Sequence, residues 1–207
     1  AELRGESVID MDGLDHAEKD SILTSRSFPG MITDLGELRS HVANHAARCA
    51  MKLRRQRSVC SLVTVFIHSN RFRDDLEQYD RSASYSFLTA TDTTTEIVAA
   101  ALGILESIFQ KGIYYKRAGV MVAGISPASA VQTDLFTFDP EQRKKFQDVS
   151  RTLDTINSRI GADTIVLASQ QYSLKGADGR NVKFVNAIRR AIKSPDYTTR
   201  LGAFTVS

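Results

Sequence analysis

Between residues 21 and 125 the hydrophobic pattern alternates between a period near two and a period near 3.6, and this constrains the fold more than any motif does. Residues 21–28, Ser-Ile-Leu-Thr-Ser-Arg-Ser-Phe, are rich in strand formers and are followed by Pro29-Gly30, which predicts a first strand closing there. Asp34 opens a helix, with Glu37 three residues on as a capping-box partner. Leu35, Leu38, Val42, Ala46, Cys49 and Leu53 then recur at helical spacing as far as Arg55. Cys60 to His68 is an apolar, β-branched run and predicts a central strand. The polar stretch from Arg71 to Arg81 predicts a loop, and Ser84 to Leu88 alternates as a half-buried strand does. Thr93 and Glu96 form a second capping box, opening a helix that carries Ile97, Ala101 and Ile108 and ends near Gly112. Lys116 to Ile125 is the fourth strand. The order β-α-β-β-α-β predicts an α+β unit: a four-stranded antiparallel sheet with two helices on one face. The other face stays open, and such faces serve as platforms for ligands, nucleic acid among them.

Composition narrows the classes. No apolar run approaches the ~20 residues of a membrane span. The first twenty residues hold seven acids and two bases and no apolar core, so no secretory signal is expected. With an overall charge of +3, that acidic leader leaves +8 on the remaining residues. The densest basic cluster is Arg48, Lys52, Arg54, Arg55 and Arg57, which suits phosphate contact or, equally, a solvated helix end complementing its own dipole. Cys49 and Cys60 fall on apolar faces and are expected as small core residues in a reducing cytoplasm.

Beyond residue 125, Ser126-Pro-Ala-Ser-Ala130 predicts a loop, and Gln132-Thr-Asp-Leu-Phe136 follows in a linker. Two large adjacent apolar side chains there, Leu135 and Phe136, either pack back on their own domain or dock into another protein's groove. Gln132-x-Asp134-Leu135-Phe136 resembles the pentapeptide that holds the β sliding clamp of bacterial replication. Asp139-Pro140 opens a further helix whose Phe146, Val149, Leu153, Ile156 and Ile160 form a narrow apolar stripe, either packed or partner-facing. A short strand at 164–168, a basic helix at 182–193 and a polar tail are expected after it.

The chain resembles the C-terminal part of the UmuC-type, Y-family translesion DNA polymerases. The resemblance rests on Leu3-Arg-Gly-Glu6, Ser25-Arg-Ser-Phe28 with Ile32-Thr-Asp34, Ala118-Gly-Val-Met121, Gln132-Thr-Asp-Leu-Phe136, Asp154-Thr-Ile-Asn157 and Ser194-Pro-Asp-Tyr-Thr-Thr-Arg200, in the family's order. It implies the end of a thumb at 1–20, a DNA-gripping little finger at 21–128, and a C-terminal tail with the clamp motif at 129–207. It also implies template–primer DNA, the clamp, UmuD′ and RecA as partners, with a cytoplasmic, nucleoid-associated role in the SOS response. Thr133 stands where the family commonly has Leu, which should weaken clamp binding, and Asp196 stands where it has Arg. The palm that would hold Mg²⁺ for phosphoryl transfer is expected to precede this piece, which should therefore have no catalytic centre or cofactor of its own.

Sequence-independent grip on DNA calls for phosphate contacts from cations and hydroxyls. The candidates are Ser25, Arg26 and Ser27 on the first strand, Ser69 and Arg71 after the second, and Lys116 and Arg117 entering the fourth. The clamp candidates are Gln132, Asp134, Leu135 and Phe136. Asp10 and Asp12, and His41 with His45 at i, i+4, lack further metal ligands. The contrasting reading is a protein-interaction module without direct DNA binding.

Overall fold

The computed structural model describes residues 20–130, 140–175 and 181–184. The leader, the clamp-like residues 132–136 and the tail beyond 184 lie outside the described residues.

The first six elements run β1 (Ser21–Ile32), α1 (Leu35–Arg55), β2 (Ser58–Ser69), β3 (Asp80–Thr91), α2 (Thr94–Ile108) and β4 (Tyr115–Pro127). The four strands form one antiparallel sheet in the order β1-β4-β2-β3. β1 and β2 are both antiparallel to β4, so they run parallel to each other with β4 between them. β3 and β4 likewise flank β2. The result is two interlocked split βαβ units, as the sequence predicts.

Side chains alternate across each strand. Val63, Val65 and Ile67 of β2 and Ala118, Val120 and Val122 of β4 face the helices and are fully buried. They meet Leu38, Val42, Ala46, Cys49 and Leu53 of α1 and Ile97, Ala101 and Leu105 of α2. Each large aliphatic side chain so buried contributes about 1.5–3 kcal/mol. Both cysteines are free and buried in this core, and burial pushes the Cys60 thiol up to about 12.

Several boundaries differ from expectation. β1 continues through Pro29-Gly30 to Ile32, because it is an edge strand and its register shifts between Ser27 and Ile32; an edge bulge tolerates a proline that a central ladder would not. Asp34 caps α1 as predicted, accepting from Glu37 N at 2.9 Å. Thr93 does not cap α2 through its hydroxyl. That hydroxyl donates instead to Glu96 Oε2 at 2.7 Å. The α2 amide of Thr94 donates to Ser150 Oγ, from the next helix, at 3.2 Å. α2 ends at Ile108 and reaches Gly112 only through a turn.

α3 (Pro140–Arg159) follows, then a hairpin of β5 (Tyr172–Lys175) and β6 (Asn181–Phe184). No strand forms at 164–168. Ile165 N donates to Asn157 Oδ1 at 2.9 Å, and its carbonyl accepts from Asn157 Nδ2 at 2.8 Å. A side chain therefore satisfies the backbone groups that a ladder would have used. Residues 182–184, expected in a helix, belong to β6 because a partner strand lies across a short connection; 185–193 lie outside the described residues.

Candidate nucleic-acid interface

The sheet face away from α1 and α2 carries four transverse rows of side chains, fixed by strand register. One row reads Ser21, Ala123, Leu62, Ser86 and the next Leu23, Met121, Thr64, Ser84. The third reads Ser25, Gly119, Phe66, Ser82 and the fourth Ser27, Arg117, His68, Asp80. Small residues and hydroxyls dominate, and Thr64 and Ser84 hydrogen-bond across strands at 2.8 Å. The face is low, donor-rich and nearly free of carboxylates. A phosphate backbone could approach it closely without meeting like charge.

Gly119 sets its relief. A Cβ there would lie 2.3 Å from Phe66 Cζ and 2.5 Å from Ser25 Cβ, so only glycine lets the Phe66 ring lie down across β4. Arg117 stands over that ring, its Cζ 6.0 Å from the centroid, and donates to Ser25 Oγ at 2.8 Å. Stacking and one hydroxyl hold the guanidinium, leaving its remaining donors to the open face. His68, beside Arg117 in the fourth row, packs tilted against Phe66 with centroids 5.0 Å apart and brings Nδ1 to 2.7 Å from Asp80 Oδ1, an ion pair whenever the imidazole is protonated. Arg71 also pairs with Asp80, and its guanidinium holds that carboxyl below the usual range.

The predicted contacts thus divide. Ser25, Ser27 and Arg117 share the open face, and Arg71 sits at its rim. Arg26 alternates to the helix side, opposite buried Ala118 and close enough to His41 and His45 to help push both imidazoles down to about 4, after burial itself. Lys116 donates to the carbonyls of Phe28 at 2.7 Å and Pro29 at 3.3 Å, bracing the irregular stretch of β1 between Ser27 and Ile32. The Ser69 hydroxyl is buried and accepts from Tyr79 N at 2.8 Å. The face also includes Thr64, Phe66, Ser82, Ser84 and Ser86, which the sequence reading passed over. The period-two serines at 82, 84 and 86 were the available signal.

The basic cluster on α1 points elsewhere. Arg54 forms a bidentate pair with Asp154 of α3, at 2.6 and 2.9 Å, and donates to Asp92 O at 2.6 Å. Arg48 lies 3.5 Å from Asp163. Ser40 and Asn44 donate to Gln170 O at 2.8 and 2.9 Å. These contacts fasten the C-terminal region to the helix side, away from the open face.

Among the described residues no three His, Cys, Asp or Glu side chains converge to hold a metal ion. No helix among the described residues is long and apolar enough to cross a membrane.

Residues 19–135 match the impB/mucB/samB family C-terminal domain, and residues 147–205 match a domain of unknown function, DUF4113. The chain is 33% identical over 199 residues to protein UmuC of Salmonella typhimurium, covering 96% of this chain and 44% of that protein. Protein MucB of Escherichia coli is 34% identical over 198 residues, with the same two shares. Protein ImpB of Salmonella typhimurium is 35% identical over 156 residues, covering 75% of this chain and 36% of that protein. The chain therefore spans less than half the length of these curated relatives. Among solved structures, a complex of the beta-clamp processivity factor and the little finger domain of PolIV aligns with 56% of this chain and 98% of that one, at 13% identity and a TM-score of 0.38. A likeness that loose carries no argument about this chain.

Proposed function

The chain belongs to the impB/mucB/samB family, and on that premise we propose that it is the DNA-gripping and clamp-tethering part of a UmuC-like translesion polymerase acting in SOS repair and mutagenesis. Residues 1–20 would end the thumb, 21–128 form the little finger and 129–207 the tail. The observation that carries this reading is the open sheet face, where hydroxyl rows lie beside Arg117 with no carboxylate nearer than the Asp80 rim. Polymerase activity would belong to the parent protein, in the cytoplasm. Template–primer DNA would lie across the rows containing Ser25, Ser27 and Arg117.

Sequence-independent phosphate binding weakens steeply with salt, by about 0.9 in the log–log slope per phosphate neutralised. Duplex affinity of the wild type and Arg117→Ala, measured by fluorescence anisotropy between 50 and 200 mM salt, tests the grip. The variant should bind more weakly and show a slope shallower by about one. An unchanged slope would remove Arg117 from the interface.

The tether is tested separately, by titrating the β sliding clamp with the wild type and with Leu135→Ala/Phe136→Ala. Burying both side chains offers roughly 3–6 kcal/mol before ordering costs, so the wild type should bind weakly and the double variant not at all. Equal binding by both proteins would exclude these residues from the clamp groove.

One observation favours a protein-binding role for the tail. α3 turns Arg143, Gln147, Ser150 and Asp154 towards the rest of the molecule with Phe146, Leu153 and Ile156 half-buried, while Val149 is 48% exposed and Ile160, just past the helix, 73%. UmuD′ and RecA would be the partners. If the whole chain were such a module, it would show no salt-dependent DNA affinity.

A further inference from the structure

The loop at 70–79, between β2 and β3, carries the most exposed large apolar side chain among the described residues: Phe72, at 95%. Isolated exposed apolar residues are ordinary. What sets this one apart is the rigidity of its mounting. Gln78 Nε2 lies 3.2, 2.9 and 3.2 Å from the carbonyl oxygens of Asn70, Arg73 and Leu76, and its two N–H groups, shared among them, tie the loop across its middle. Phe72 N donates to Asn70 Oδ1 at 3.1 Å. Ser69 N donates to Tyr79 O at 2.8 Å, closing the base. The chain therefore presents a ring to solvent from a preorganised loop, and little ordering cost remains for whatever covers it.

The surroundings say what could cover it. Phe72 lines one hollow with Ser27, Arg71 and Arg117, at the end of the open face, where Lys116 also lies but is tied to the Phe28 and Pro29 carbonyls. An aromatic ring beside a cationic groove suits a nucleic-acid strand: the cations take the phosphates and the ring takes the flat face of a base. Bases inside a duplex already stack on one another. Only an unpaired or frayed base offers a free face.

We propose that Phe72 is a stacking platform for an unstacked nucleobase on a DNA strand whose phosphates run along the open face. This rests on the DNA-gripping reading above. It adds a base-stacking contact with the unpaired strand beside the duplex, which that reading does not require.

The test compares a blunt duplex with the same duplex bearing a short single-stranded overhang that contains 2-aminopurine. The proteins are the whole chain and its Phe72→Ala and Phe72→Tyr variants, with thermal melts as a folding control; an exposed ring should leave the melt unchanged. Phe72→Ala should lose about fivefold or more in affinity for the overhang, lose the stacking quench of 2-aminopurine, and bind blunt duplex as the wild type does. Phe72→Tyr should retain both overhang properties. Equal overhang binding and quench by wild type and Phe72→Ala, or equal losses on both DNAs, would overturn the stacking role while leaving DNA gripping intact. Failure of the wild type to bind either DNA would overturn the gripping reading, and the stacking role with it.

Discussion

At Gly119 a missing side chain shapes the open face. The ring of Phe66 occupies the space a Cβ would need, and Arg117 stacks on that ring. Gly119→Ala should therefore cost about 1–3 kcal/mol through overpacking, read as a lower urea midpoint. It should also weaken DNA binding, because lifting Phe66 displaces Arg117. A variant as stable as the wild type would mean that the ring moves freely. In the sequence Gly119 stands out only as part of the family-like stretch Ala118-Gly-Val-Met121. Its role depends on the register that sets Phe66 opposite it, which is a long-range fact.

The connection between α3 and the helix side is largely polar. Ser150 accepts from the first amide of α2, a cap delivered from a helix distant in sequence. Ser150→Ala should cost about 1 kcal/mol, as loss of a local cap does, seen as faster hydrogen exchange in the first turn of α2. Asp154→Asn removes the charge facing Arg54, whose side chain is only 9% exposed. We expect about 2 kcal/mol lost from α3 docking, with proteolysis of α3 rising while the β1–β4 core stays resistant. Equal cleavage of both proteins would show that other contacts hold α3. The sequence placed α3 correctly from its stripe and its proline at the start. It could not show that Arg143, Gln147, Ser150 and Asp154 make the docking hydrogen bonds beside half-buried Phe146, Leu153 and Ile156, because periodicity reveals where apolar residues lie and not which neighbour is available.

For the molecule as a whole, pH exposes the cost of a buried histidine. His45 is buried with neither ring nitrogen hydrogen-bonded, and burial, followed by Arg48, His41 and Arg26, lowers it from 6.5 to about 4. The folded state thus binds fewer protons than the unfolded one between those values. Stability should be full above pH 6.5 and fall as pH drops towards 4. A shift of that size predicts a loss of roughly 2 kcal/mol at pH 5 relative to pH 7.5, with His41 acting in the same direction. Urea midpoints at the two pH values test this, and His45→Leu should flatten the difference. The alternation of hydrophobic periods by itself determined the element order, the split βαβ arrangement and the helix-covered face, because burial against a shared core dictates those periods. The Asp34 cap was equally legible, being a contact within one turn. The tertiary structure decided the rest: that Ser25 and Ser27 share the open face while Arg26 does not, that Lys116 and Ser69 serve the backbone, and that Arg54 is spent on Asp154. Each follows from which strand or helix lies opposite, and pairing across long stretches of chain leaves no local periodicity to read.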